Sequence, residues 1–379
     1  MRTLKSTIGA PRKQGGFTLV ELMVGLVLGM LTVLVIAQVL VFAEGKKRSA
    51  SMGSDAQVNG AMALYTLQRE IQMAGYGATS SLDALGCQVK GQYDTDPTKA
   101  FALTLAPVVI NDGGGNAPDT ITVLRGRTTG FSAPVVLSGA ALKTDDHFTV
   151  ASSFGTVVGN MMIAVPKLQG PSTWCSLFSV TNDIASPTTT LGPTVVPHVA
   201  TATSKWNQNT IFPAGGYVKD DYLLNVGSLL SRDYAINANN LQVTDRSPVN
   251  GVTASQDLYP QIVNLQAMYG KGTLDAGGNV VVDTYDNITP LTNADWRRVV
   301  AIRIAIVARS NEFEKEIVTR NAPQWDVGAT ATITGPTTTT CNGTSKCIAL
   351  GVSQLADWQH YRYKVYEAIV PLRNVLWNS

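Results

Sequence analysis

Two glycines, Gly15 and Gly16, stand directly before Phe17, and one carboxylate, Glu21, follows four residues later inside an otherwise apolar run. Glycine gives a peptidase extended backbone with no side chain in the way, so the Gly16–Phe17 bond is a natural cleavage point. Cutting there leaves a free ammonium on Phe17. Four residues along a helix return a side chain to the same face, so that ammonium and Glu21 can neutralise each other, within one chain or between neighbours. A charge near the middle of a bilayer costs roughly 2.5–3.5 kcal/mol, and a carboxylate there needs either such a partner or an escape to the interface, as in an ordinary signal anchor.

Other reactive side chains are sparse. Cys341 and Cys347 flank the polar turn Asn-Gly-Thr-Ser-Lys, which suits a local bridge and leaves Cys87 and Cys175 to pair. Two disulfides fit an oxidising compartment. The alternatives are a structural metal or free thiols, against which stand the absence of any CxxC and the scatter of His147, His198 and His360. No HExxH occurs, and Gly351-Val-Ser-Gln-Leu355 lacks the closing glycine of a nucleophile elbow. Asp145-Asp146 and Asp220-Asp221 read as solvated turns rather than acid/base pairs. Asn111-Asp-Gly-Gly-Gly-Asn116 lacks the Lys-Ser/Thr of a phosphate loop and the ligand spacing of an EF-hand, and reads as a hairpin turn. The sequence thus offers no catalytic residue, metal site or cofactor site.

The elements that would position Gly16, Phe17 and Glu21 begin with the apolar run itself, Phe17 to Phe42. As a helix these roughly 26 residues reach roughly 39 Å, enough to cross a hydrocarbon core of about 30 Å. An ordinary secretory signal is cut after its apolar core, whereas the only small-residue site here lies before it. Removing residues 1–16 discards Arg2, Lys5, Arg12 and Lys13, so a formal charge of +2 becomes 25 bases against 27 acids, with no strong nucleic-acid footprint. The leader charges predict a cytoplasmic N-terminus, with everything beyond residue 45 outside the cytoplasm. Gly25 and Gly29 form a GxxxG pair, either a close-packing face or incidental glycines of a membrane span.

Apolar residues continue at helical spacing through Ala56, Val58, Ala61, Leu64, Leu67, Ile71 and Ala74, so the helix should run from 17 to 75 and end at Gly75-Tyr76-Gly77. Gly45, Gly53 and Gly60 are points where it could bend. Strands follow: Asp119–Arg125, a largely buried Val299–Arg309, and a half-exposed strand from about His360 to Val365. The Thr-rich tracts 181–210 and 328–346 read as surface loops or connectors. The expected fold is α+β: a leader (1–16), a transmembrane helix (17–43), its amphipathic continuation (44–78), and a large, mainly antiparallel β-rich head (79–379) with room for two lobes divided near 200–220.

Gly16-Phe17-Thr18-Leu19-Val20-Glu21 resembles the signal of type IV prepilins and type II secretion pseudopilins. The resemblance implies cleavage after Gly16 and methylation of Phe17 by a membrane prepilin peptidase, with Glu21 registering subunits during assembly. Five further stretches resemble PilW-type minor pilins: Gln68–Tyr76 (ending Met-Ala-Gly-Tyr), Ala117–Val123, Ile262–Gly270, Trp296–Ser310 and Tyr361–Asn374 (with its Pro-Leu-Arg-Asn ending). That likeness implies a pilin-like fold in a low-abundance structural subunit of a priming complex at the pilus tip. Its partners would be the major pilin, minor pilins of the PilX, PilV, PilE and FimU/FimT types, and a PilY-type tip adhesin. It would pass through the inner membrane on the way. A minor pseudopilin of a type II secretion system shares the leader, and a signal-anchored periplasmic enzyme is the alternative from another class.

Overall fold

The computed structural model describes residues 15–127, 133–182, 190–200, 205–246, 254–274, 280–333 and 338–376; most of the expected leader, residues 1–14, lies outside them. The chain forms two compact units, residues 1–54 and 55–379. A 55-residue helix, α1 (Leu19–Met73), begins in the first and ends in the second.

In the second unit, α1 buries Ala56, Gly60, Ala63, Leu67 and Ile71, and Ala74 just past its end is buried with them. This face differs from the one the apolar spacing suggests, because Val58 and Ala61 are exposed. Small residues at 56, 60 and 63 let the sheet come close, while Leu67 and Ile71 fill the wider end. Gly60 is therefore no hinge. A Cβ there would run into the Tyr366 ring, whose hydroxyl donates to the carbonyl of Gln57 (3.2 Å). Complete burial of Leu67 and Ile71 contributes about 1.5–3 kcal/mol each.

After Met73 the chain turns through Gly75 at φ +80°, a conformation glycine adopts without strain. The turn is tied down on both sides. The Gly75 amide donates to Leu124 O (2.7 Å), and the Asn374 side-chain amide donates to Ala74 O (2.8 Å), one of the carbonyls a helix end leaves unpaired.

Two antiparallel sheets share a core with this helix face. One has five strands, in the order Ala254–Pro260, Asn240–Asp245, Leu229–Asn237, Thr120–Gly126, Val108–Asn111. The other has four: Val280–Asp286, Ile262–Leu274, Val299–Arg309, Tyr363–Pro371. Ile121 and Val123 from the first lie in the same core as Ile302, Ile304 and Ile306 from the second. The glycine cluster 111–116 joins Val108–Asn111 to Thr120–Gly126, which pair antiparallel, so it is a hairpin loop as its composition indicates. Tyr363–Pro371 starts later than its alternating pattern suggests, because Trp358–His360 closes into a 3-10 turn. The opposite face of the four-stranded sheet packs on a three-stranded one, with Trp325 and Ile348 in the contact.

Thr120–Gly126 and Leu229–Asn237 are neighbours in the five-stranded sheet. Much of the chain between them builds a separate six-stranded sheet, in the order Ala100–Thr104, Gln88–Gln92, Cys175–Ser179, Met161–Val165, Tyr222–Gly227, Val135–Val136. Its pair Gln88–Gln92 with Cys175–Ser179 is parallel, and the other ladders between the described strands are antiparallel. The tract 181–210 is not wholly surface loop. Val196 and His198 are buried, and His198 lies among Phe148, Phe178 and Phe212. Desolvation lowers its pKa to about 4, so the ring stays neutral. The tract 328–346 likewise contributes Thr338–Asn342 to the three-stranded sheet and buries Ala331.

Candidate processing and assembly site

Gly15 through Thr18 precede the first helical turn. Thr18 occupies the N-cap position: its hydroxyl accepts the Glu21 backbone amide (3.2 Å), and its carbonyl accepts the Leu22 amide (3.1 Å). Thr18-Leu-Val-Glu21 thus has the spacing of a capping box. Sequence reasoning overlooked Thr18, although Thr-x-x-Glu ahead of an apolar run is a recognised start signal for a helix. Glu21 sits in the first turn, where an acid complements the positive end of the helix dipole.

Leu19–Gly45 is a helix segment of 27 residues, long and apolar enough to cross a membrane, and its described side chains are exposed. Thr32, the hydroxyl within it, donates to the carbonyls of Leu28 (2.7 Å) and Gly29 (2.9 Å), so it brings no unsatisfied donor into lipid. Nothing lies within 4 Å of a Cβ built on Gly16, Gly25 or Gly29. The strip on which Gly25 and Gly29 lie is therefore open to a second helix.

The stretches Gln68–Tyr76, Ala117–Val123, Ile262–Gly270, Trp296–Ser310 and Tyr361–Asn374, dispersed in sequence, assemble into one structural unit. Gln68–Tyr76 ends α1 and is capped by Asn374 from Tyr361–Asn374. Trp296–Ser310 is paired on one side with Ile262–Gly270 and on the other with Tyr361–Asn374. Ala117–Val123 joins them through Asp119. The Asp119 amide donates to Leu265 O, and its carboxylate accepts the amides of Ala267 (2.8 Å) and Gly113 (3.0 Å). Asn264 and Gln266, buried polar residues beside it, donate to the carbonyls of Asn116 (3.1 Å) and Ala117 (2.7 Å).

Asp119 is buried, and desolvation pushes its pKa up to about 7 against the pull of the two amides, with Asp112 adding to the rise. A folded-state pKa above the unfolded one means that the folded chain binds the extra proton. The resulting stability is complete below the unfolded value of about 4 and is lost as the pH rises through about 7. The stability gap between the wild type and Asp119→Asn should therefore narrow by on the order of a few kcal/mol between pH 4.5 and 8. Thermal unfolding of the two proteins in the same detergent reads this gap, and a gap independent of pH would refute it. His198, whose lowered pKa makes acid destabilising, is common to both proteins and cancels.

The other candidate reactive groups have structural places. Asp221 is buried rather than solvated, because its carboxylate accepts the amides of Lys167 (2.8 Å) and Val218 (2.7 Å) and closes a turn. Asp145 accepts the Leu142 amide, and Asp146 pairs with His147. Cys87 is bonded to Cys175, with both side chains buried. Cys341 and Cys347 are likewise joined, so the sulfurs near Asp326 are not thiolate ligands.

An exposed apolar helix behind a Gly-Phe junction, continuing into an antiparallel β-rich head, is the construction of a pilin-like membrane-anchored subunit. Residues 11–37 match the prokaryotic N-terminal methylation motif, and residues 228–374 match the family described as type IV pilus-assembly protein W. Over residues 228–374 the chain is thus similar to the PilW family of the type IV pilus, and its N-terminus carries the methylation motif. No curated protein and no solved structure matches it. The second matched region starts at Ser228, the residue between the last strand of the six-stranded sheet to appear in the chain and the return to the five-stranded sheet. The six-stranded sheet therefore lies outside both matched regions.

Proposed function

We propose that a prepilin peptidase cuts this chain after Gly16 and methylates Phe17, and that the mature subunit then packs by its apolar helix into a priming complex at the pilus tip. The observation that carries the reading is the alignment of three features within one helical turn: the Gly16–Phe17 junction, the Thr18 cap and the first-turn acid Glu21. In this reading residues 1–16 are the leader, 17–43 cross the inner membrane with the N-terminus cytoplasmic, and the head is periplasmic before export. Gly25 and Gly29 give neighbouring helices a close approach. The head meets minor pilins of the PilX, PilV, PilE and FimU/FimT types, the major pilin below, and a PilY-type adhesin. The role is non-catalytic. The match of residues 228–374 favours the pilus over a type II secretion pseudopilus.

Mass spectrometry of the membrane-extracted protein tests the first step. The expected mature end is N-methylated Phe17, and Gly16→Val should retain Met1 or its immediate trimming product. A wild-type chain that keeps its leader would instead be a signal-anchored protein, and the reading would fail.

A further inference from the structure

Beside the C-terminal end of α1 a cavity of about 640 Å³ opens, and five arginines line it: Arg69, Arg125, Arg127, Arg232 and Arg373. No acid is among the lining residues. Two carboxylates stand nearby: Glu70, 3.7 Å from Arg125 and 3.8 Å from Arg232, and Asp245, 4.0 Å from Arg232, each too far for a good hydrogen bond to these arginines. Glu70 Oε2 and Arg125 Nε are buried without a hydrogen bond. Among the described residues, Arg69, Arg127 and Arg373 form no ion pair. The cavity thus sets five cations against two carboxylates, on a chain whose mature form has slightly more acids than bases.

Composition does not account for such a cluster, and its mutual repulsion opposes folding unless an anion fills it. Every cation is arginine rather than lysine, and the planar guanidinium fork suits bidentate carboxylate partners. The setting is a small concavity with Met73 and Leu230 in its wall, unlike the extended basic stripe that tracks a nucleic-acid backbone. We propose that this cavity is a docking site for an acidic segment of another protein subunit, whose Asp, Glu or terminal carboxylates enter between Arg127 and Arg373 at the rim and Arg125 and Arg232 deeper in. The proposal rests on the assembly reading, since a neighbouring subunit must supply the segment. Its failure is separable from that reading, because the mass of the mature N-terminus does not depend on the cavity.

The test is fluorescence anisotropy of labelled octaglutamate with the full-length protein in detergent. Saturable binding that weakens as ionic strength rises is expected. The double variant Arg127→Glu/Arg373→Glu, at exposed positions, should lose affinity by about tenfold or more. Arg127→Lys/Arg373→Lys, which keeps the charge but not the fork, should lose less, and Lys143→Glu, outside the cavity, should bind as wild type. Three outcomes overturn the proposal: no saturable peptide binding, equal loss with Lys143→Glu, or tighter binding of a single-stranded oligonucleotide that the same double variant abolishes. Unchanged melting temperatures of the variants exclude a folding defect as the cause.

Discussion

Glu21→Ala should be cleaved and methylated like the wild type, yet be lost from sheared pili, with the number of pili per cell reduced by about tenfold or more. Two effects of opposite sign make this outcome informative. Deleting an acid from an apolar helix removes an insertion penalty of roughly 2.5–3.5 kcal/mol, so the variant should enter the membrane at least as well. It also leaves the Phe17 ammonium uncompensated at the positive end of the helix dipole, so burying that terminus among neighbouring helices becomes costly. Glu21→Gln keeps the shape and the polar contact but not the charge, and should fail nearly as completely. Thr18→Ala, which removes the cap hydroxyl, should cost about 1 kcal/mol of local helix stability and leave piliation largely intact. Immunoblots of sheared and cell-bound fractions separate these cases. Normal piliation with Glu21→Ala would mean that the acid serves only the capping box.

How much of this was legible in the sequence depends on the range over which each feature is determined. The apolar run, the α1 stop at Gly75 and the buried strand Val299–Arg309 are set by local patterns and were readable. The α+β order was readable for the same reason. The exact buried face of α1 was not, because it is decided by Tyr366 and Ala308 coming up against Gly60 from more than 200 residues away. The six-stranded sheet was hidden by Thr- and Pro-rich sequence with little alternation, and by a parallel pair whose strands are far apart in the chain. Asp221 looked like part of a solvated turn because its partners are backbone amides brought in by the fold. The arginine cavity draws on the end of α1, two strands and the chain's last described turn, so no window of sequence displays it. At the N-terminus the opposite holds: everything needed to find the Thr18–Glu21 box was within four residues.

The separateness of the six-stranded sheet leads to the largest expected stability effect. Cys87 enters Gln88–Gln92 and Cys175 opens Cys175–Ser179, so their bond clamps the parallel pair across a sequence separation of 88. Parallel neighbours cannot be held by a hairpin, and only Val89 with Cys175 and Lys90 with Ser176 are in register here. For a loop of that length the chain-entropy contribution of a bridge is roughly 4–5 kcal/mol, against roughly 2 kcal/mol for the six-residue Cys341–Cys347 loop. The double variant Cys87→Ala/Cys175→Ala should therefore unfold at least part of the head in a transition well below that of the wild type. Cys87→Ser/Cys175→Ser should do worse, since it also buries hydroxyls lacking assured partners. Cys341→Ala/Cys347→Ala should shift melting much less. Because Cys87 and Cys175 are buried, dithiothreitol should reach their bond only as the sheet opens, whereas exposed Cys341 leaves the small loop reducible in the folded protein. Thermal melts with and without reductant, with thiol labelling followed by peptide mapping, resolve both effects. Equal losses from the two pairs would show that the long-range bridge adds no more than local closure, and that the six-stranded sheet is held by its own packing.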